Sequence, residues 1–366
     1  MTSPTLETPL TRLLGIDTPI MLAGMNGVSH SKLATAVTNG GGLGVIGGLT
    51  MSPDELRSQI KDIKDNLDDK NAPFGVDLAI PQIGGSARKT NHDYTHGNLP
   101  ELIDVIVEEG ATIFVCAVGV PPNWVVEKLH AGGVLIGNMV GHPQHVPKAL
   151  AAGVDIIIAQ GGEAGGHTGQ VSTLVLIPQC VDLVRGHVSP LNGEPIQVVG
   201  AGGIFDGRGV AAALAMGATG VWVGTRFICA EESSAGPKHR RAVLSAQSTD
   251  TTQTLIFSGR PLRVYNSDYV RAWNEEHAAE IDELTGKGIL PAAWDSEHHL
   301  VRGEEMKLEY IPDLMGQGAG AVSEVMPAAD IISEMMEVAC EILSSNATFV
   351  TTRAAATAPA GAAARL

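Results

Sequence analysis

His167 sits in the run AQGGEAGGHTGQ, Ala159 to Gln170, which holds five glycines. Imidazole is the side chain best poised to take or give a proton near neutral pH. Gly165 and Gly166 directly precede it, and glycine lets backbone bend sharply or lie close to a bound molecule. The chemistry on offer is proton handling, or hydrogen-bond donation, against a flat ligand. A polar group in a tight turn is the plainer reading. Glu163 either orients the imidazole or is solvated.

Two further stretches, GAGGIFDGRG (200–209) and WVGTRF (222–227), have the makings of an anion cradle. Gly202, Gly203 and Gly224 leave room for an oxyanion to reach backbone amides, and the Thr225 hydroxyl adds a donor. Strand-to-helix turns without a ligand would need similar glycines. The stretch AGMNGVS places Gly24, Met25 and Asn26 where small side chains and backbone amides can face a ring, a weak signal taken alone. GLGVIG, Gly42 to Gly47, fits the dinucleotide fingerprint G-x-G-x-x-G but stands in the wrong order. That fingerprint must follow a strand and open a helix. Here helical SKLATAVTNG precedes it, so capping and close packing explain its glycines.

The elements that must position these residues follow one beat. An amphipathic segment ends in glycine and a short β-branched run follows, as in VPKALAAGVDIIIAQGG and VAAALAMGATGVWVGTRF. Strands are expected at 19–23, 43–48, 74–80, 112–119, 134–140, 154–160, 196–203 and 220–227. Eight parallel strands joined by helices within about 230 residues fit a (β/α)8 TIM barrel better than an open doubly wound sheet. His167 then follows the sixth strand, and the two glycine stretches end the seventh and eighth. That is the catalytic end of a barrel, where the last two strands often hold a phosphate. Residues 10–259 are expected as the barrel and 260–343 as an added, mostly helical lid segment with a closing helix. A disordered Ala/Thr-rich tail is expected at 344–366. The polar loop 81–100 is a second candidate lid.

Composition narrows the partners. Twenty-four basic against forty acidic residues leave a net charge of −16, which argues against nucleic acid and anionic membranes. Cys116, Cys180, Cys229 and Cys340 form no metal-type spacing, so neither a zinc site nor a disulfide framework is expected. No apolar run reaches the length of a membrane span. These features suit the cytoplasm, and the C-terminal Ala364-Arg365-Leu366 matches the small-basic-Leu form of a peroxisomal address. A homo-oligomer is compatible with all of this.

Taken together, these motifs resemble the nitronate monooxygenase family, formerly the 2-nitropropane dioxygenases. The resemblance runs from about Pro19 to Phe227 and recurs weakly in MGQGAGAV (315–322). FMN-dependent enoyl-acyl-carrier-protein reductases share nearly all of it. The resemblance implies an FMN-dependent barrel in which Gln160, Gly165 and Gly166 contact the flavin and His167 is catalytic. Gly202, Gly203, Trp222, Val223, Gly224 and Thr225 would hold the FMN phosphate, and Gly24, Met25 and Asn26 would back the isoalloxazine. The chain departs from the family on the third strand, where Val76-Asp77 stands in place of the usual Val-Asn before the flavin. Ionised, Asp77 can only accept a hydrogen bond. The implied reaction is oxidation of an alkyl nitronate, or of a nitroalkane, by O2 to a carbonyl compound and nitrite. The alternatives are an NAD(P)H-dependent FMN reductase of enoyl thioesters or quinones, and a non-redox phosphate-binding lyase or isomerase.

Overall fold

The computed structural model describes residues 5–301 and 310–350. Eleven strands occur among them: β1 (Ile20–Leu22), β2 (Gly44–Gly47), β3 (Phe74–Ala79), β4 (Ile113–Ala117), β5 (Leu135–Val140), β6 (Ile156–Gln160), β7 (Gly166–His167), β8 (Gln197–Ala201), β9 (Gly220–Val223), β10 (Thr251–Thr254) and β11 (Leu262–Tyr265). Eight of them form one all-parallel sheet in the order β1-β9-β8-β6-β5-β4-β3-β2. The sheet closes on itself. Leu22 N–H donates to Leu43 O and Leu43 N–H to Ile20 O, both at 2.9 Å. The fold is a (β/α)8 barrel, with the expected strands in place.

Side chains alternate along each strand between two cores. Met21, Val45, Val115, Ile158, Val199 and Trp222 fill the lumen. Leu22, Ile46, Val76, Phe114, Ile157 and Val198 point outward into the layer shared with the helices. Those helices carry their own start signals. Pro53–Asn66, for example, has a capping box between Ser52 and Glu55, Pro53 in its first turn, and Leu56, Ile60 and Ile63 as its buried stripe. The short helix Pro9–Leu14, capped by Thr8, plugs the bottom of the barrel. Its Leu10 and Leu14 join the luminal cluster, and the Thr8 hydroxyl donates to Thr219 O at 2.7 Å. In the fingerprint-like GLGVIG, β2 follows the helix Ser31–Asn39, and Gly44 lies directly against Ala34 of that helix. Close packing is thus what that glycine serves.

Three boundaries differ from the expectation. The eighth barrel strand stops at Val223, because Thr225–Ile228 turns into a short helix whose Phe227 is buried in the outer core. An apolar run alone does not distinguish the two. The division at 259/260 falls between β10 and β11, which pair antiparallel as one hairpin. The apolar cluster beyond the barrel accordingly begins at Ile256 and includes Tyr269, Trp273 and Ile281. The closing helix Ala328–Ala347 runs past 344 and packs on the barrel helices Gly207–Ala215 and Ser31–Asn39. It therefore belongs to the barrel wall. The rest of the expected tail from 351, with its terminal Ala364-Arg365-Leu366, lies outside the described residues. Among the described residues no helix is long and apolar enough to cross a membrane.

Leu10 is fully buried at the luminal plug. Leu10→Ala should cost about 2–5 kcal/mol, the usual range for emptying a core leucine site. A urea denaturation midpoint indistinguishable from that of the parent chain would show that the plug is dispensable.

Candidate functional site

A cavity of about 1750 Å³ opens at the C-terminal ends of the barrel strands. Ligand pockets commonly hold about 300–1,000 Å³, so this one has room for two molecules side by side. Of the residues singled out from sequence, Gly24, Met25, Asn26, Asp77, Gln160, Gly165, Gly166, His167, Gly202, Gly203, Trp222, Gly224 and Thr225 all line it. Val223 does not. Its side chain is buried in the outer core and its carbonyl accepts the Ala23 N–H at 2.9 Å.

His167 is held more firmly than a loop residue. With Gly166 it forms β7, which pairs antiparallel with β11, Leu262 opposite His167. The Gln160 side-chain amide donates to His167 O at 2.6 Å, and His167 Nε2 lies 2.9 Å from Ser258 Oγ. Burial, and secondarily the positive charge of Arg260, lowers the imidazole pKa from 6.5 to about 4. The ring is therefore neutral at pH 7. Glu163 does not orient it. The Glu163 carboxylate accepts the Thr173 N–H at 2.9 Å and so caps the helix Thr173–Val184, whose own N-cap Ser172 makes no side-chain bond. The Thr173 hydroxyl donates onward to Gly202 O at 2.8 Å, tying that helix to the glycine turn.

The turn after β8 requires its glycines: Gly202 and Gly203 have φ of 98° and 70°. Thr225 Oγ1 accepts the Gly316 N–H at 3.0 Å, which leaves its own proton free to donate. Gln317 N–H donates to Glu163 O at 2.9 Å, so the segment MGQGAGAV is stitched both to WVGTRF and to the run that carries His167. Asp77 lies near the C-terminal end of β3, on its luminal face and next to the first-strand turn. Gly24 comes so close that any Cβ there would run into the Asp77 carboxyl. Ser29 fixes that turn by accepting the Met25 N–H at 2.7 Å and the Gly47 N–H at 3.1 Å.

Three residues escaped the sequence reading. Ser258 reaches His167 from 91 positions away, and only the β10–β11 hairpin brings it there. Arg260 lines the cavity from the same hairpin and bonds Asn91 Oδ1 at 3.1 Å; Arg88 Nη1 donates to Gly259 O at 3.2 Å. The loop 81–100 and the hairpin are thus clasped together. The only sequence signal for this was the placement of both loops at the catalytic end.

A closed parallel barrel with a neutral histidine, a left-handed glycine turn and a wide cavity at its strand ends defines a small-molecule enzyme of the (β/α)8 class. The comparisons with known proteins sharpen that. The nitronate monooxygenase family model matches residues 7–337. Over 289 residues the chain is 36% identical to (3aS,4S,5R,7aS)-5-hydroxy-7a-methyl-1-oxo-octahydro-1H-indene-4-carboxyl-CoA dehydrogenase of Rhodococcus jostii (strain RHA1), covering 79% of this chain and 72% of that protein. It is 32% identical over 305 residues to a protein of Staphylococcus saprophyticus named probable nitronate monooxygenase, covering 74% and 81%. Among solved structures, FabK from Thermotoga maritima aligns with a TM-score of 0.76 at 30% identity, covering 94% of this chain and 100% of that one. Nitroalkane oxidase from Streptomyces ansochromogenes aligns with a TM-score of 0.73 at 25% identity, covering 92% and 99%. The chain belongs to the nitronate monooxygenase family and is an oxidoreductase of that flavin-dependent type.

The lowered pKa of His167 has a consequence for stability. An unfolded histidine takes up its proton near 6.5, while the folded one resists until about 4, so between these values the unfolded chain binds more protons. Stability should fall as pH drops through that window, and His167→Gln should make the fall shallower. Equal slopes in a pH series of denaturation midpoints would contradict a ring buried in its neutral form.

Proposed function

We propose that the chain binds FMN and oxidises alkyl nitronates with O2. Two nitronates and one O2 give two carbonyl compounds and two nitrite ions, which balances without an external reductant. The residues present suit the cofactor. The Gly202–Gly203 turn, the Gly224 amide and the Thr225 hydroxyl can hold its phosphate. Gln160, Gly165, Gly166 and the turn Gly24–Asn26 can flank its ring, and Trp222 closes the lumen beneath. The Asp77 carboxyl, almost fully buried at the cavity wall and without a hydrogen-bond partner among the described residues, is the kind of polar group a bound ligand satisfies. When bound, the flavin would supply the one-electron chemistry that oxygen activation needs.

The observation that carries this reading is a neutral His167 fixed to Ser258 at the wall of the cavity, beside the positive charge of Arg260. A base with a pKa near 4 is poorly matched to removing a carbon-bound proton at pH 7. It is well suited to donating a ring N–H to an oxygen that is already anionic. Arg260 adds attraction for an anion at the same place. The residues thus favour a preformed nitronate over the neutral nitroalkane, and kcat/KM should be higher for the nitronate. His167→Ala should lower turnover by about 10²–10³, the usual cost of removing one preorganised hydrogen-bond donor to an anionic oxygen, while FMN stays bound. Unchanged turnover with both substrate forms would remove the histidine from the mechanism.

One observation favours a second reading. A cavity of about 1750 Å³ exceeds the needs of a flavin and a small nitronate, and a relative named as a CoA dehydrogenase is 36% identical. An FMN reductase of enoyl thioesters or quinones driven by NAD(P)H would use that space. Anaerobic mixing with NADH separates the two, since rapid flavin bleaching supports the reductase and a stable oxidised spectrum supports the oxidase.

A further inference from the structure

Asp77 is an ionisable group placed where an ion is costly. It is only 7% exposed, and its carboxyl makes no hydrogen bond or ion pair among the described residues, although it faces the cavity. Each element packed against it withholds compensation. The first-strand turn offers Gly24, which abuts the carboxyl, and β2 offers Gly47 in register with Asp77. On the other side β4 offers Val115 in register. Cys116, next along β4, is the titratable neighbour that an ionised Asp77 would act on, and it is itself a buried thiol that offers no positive charge. Among the described residues no basic group offsets the cost of a charge there, and burial alone shifts the carboxyl. Burial accordingly keeps the Asp77 carboxyl well above the usual carboxylate range.

Resting on the FMN reading above, we propose that Asp77 is a neutral carboxylic acid that donates its proton in a hydrogen bond to an acceptor atom of the flavin. A carboxylate has no proton to donate and would set a negative charge against the ring, whereas the acid offers one donor and stays uncharged. Gly24 is part of the same device. By leaving no side chain between the first-strand turn and β3, it lets the acid reach the cavity wall while both flanks stay dry. Asp77 acts on the cofactor and handles no substrate proton. Its donation stabilises the electron-rich reduced flavin more than the oxidised form, so it raises the midpoint potential.

The test compares the parent holoprotein with Asp77→Asn, which keeps a donor and cannot ionise, and Asp77→Leu, which keeps the size and cannot donate. Three readouts are independent of turnover: FMN dissociation constants by fluorescence quenching, flavin midpoint potentials, and oxidised-minus-reduced infrared difference spectra at pH 7. Asp77→Asn should bind FMN about as tightly as the parent, and Asp77→Leu about tenfold more weakly, the scale of one net hydrogen bond. The potential of Asp77→Leu should fall below the parent's. The difference spectrum should show a protonated-carboxyl C=O band that shifts with flavin reduction and is absent from Asp77→Asn. A chain that takes up no FMN overturns both this proposal and the reading beneath it. FMN uptake with a carboxylate rather than an acid band, or with Asp77→Leu equal to the parent in affinity and potential, overturns this proposal alone. Should Asp77→Leu fail to fold, the infrared comparison with Asp77→Asn still decides.

Discussion

The two hydrogen bonds that join β1 to β2 close the barrel, and the geometry of the mouth follows from that closure. An open sheet would leave its first and last strands at opposite edges. Closure instead sets the first-strand turn beside β2 and β3 on one side and β9 on the other. Gly24 can then touch Asp77 while Ala23 bonds Val223. The lumen below is filled with apolar side chains and plugged by Leu10 and Leu14, so the large cavity lies at the strand ends. The residues proposed to do chemistry are consequently strand-end or strand-following residues.

Most of the barrel was legible because its signals are local. A glycine that ends a helix and a β-branched run that follows it are features of ten to fifteen neighbouring residues, and tertiary packing did not override them. The end of the eighth strand has no local mark, because a β-branched Thr225 and an aromatic Phe227 suit a strand as well as a helix, and only the burial of Phe227 in the helical layer shows the turn. The site was legible where it lies on a strand end, as with His167 and Gly203. It was illegible where partners arrive from afar. Ser258 and Arg260 reach the histidine through the pairing of Gly166-His167 with β11, a register that no spacing in the sequence encodes. The ambiguity at Glu163 had the same origin, since its partner Thr173 is chosen by the path of the loop between them.

The molecule carries a net charge of −16, yet the charge that acts on His167 is the positive one of Arg260. Arg260 and Arg88 stand on the two clasped loops, and burial pushes the carboxyl of Asp77, at the cavity wall, up from the usual carboxylate range. A low-dielectric mouth with cations on its rim focuses potential on the cavity even when the distant surface is acidic. The surface charge thus speaks for solubility, and the local cations for the ligand.

The closing helix Ala328–Ala347 gives the chain an unusual order of assembly. It completes the helical layer beside Gly207–Ala215 and Ser31–Asn39, but about a hundred residues separate it from β9. All eight strands can therefore be present while one stretch of barrel wall, faced by Ile331, Ile332 and Met335 in the finished fold, is still bare. Pairings of such long sequence separation form late and slowly. Until the closing helix packs, that bare wall is an apolar surface open to other chains, so the segment between β9 and the helix must be made before the wall can be covered.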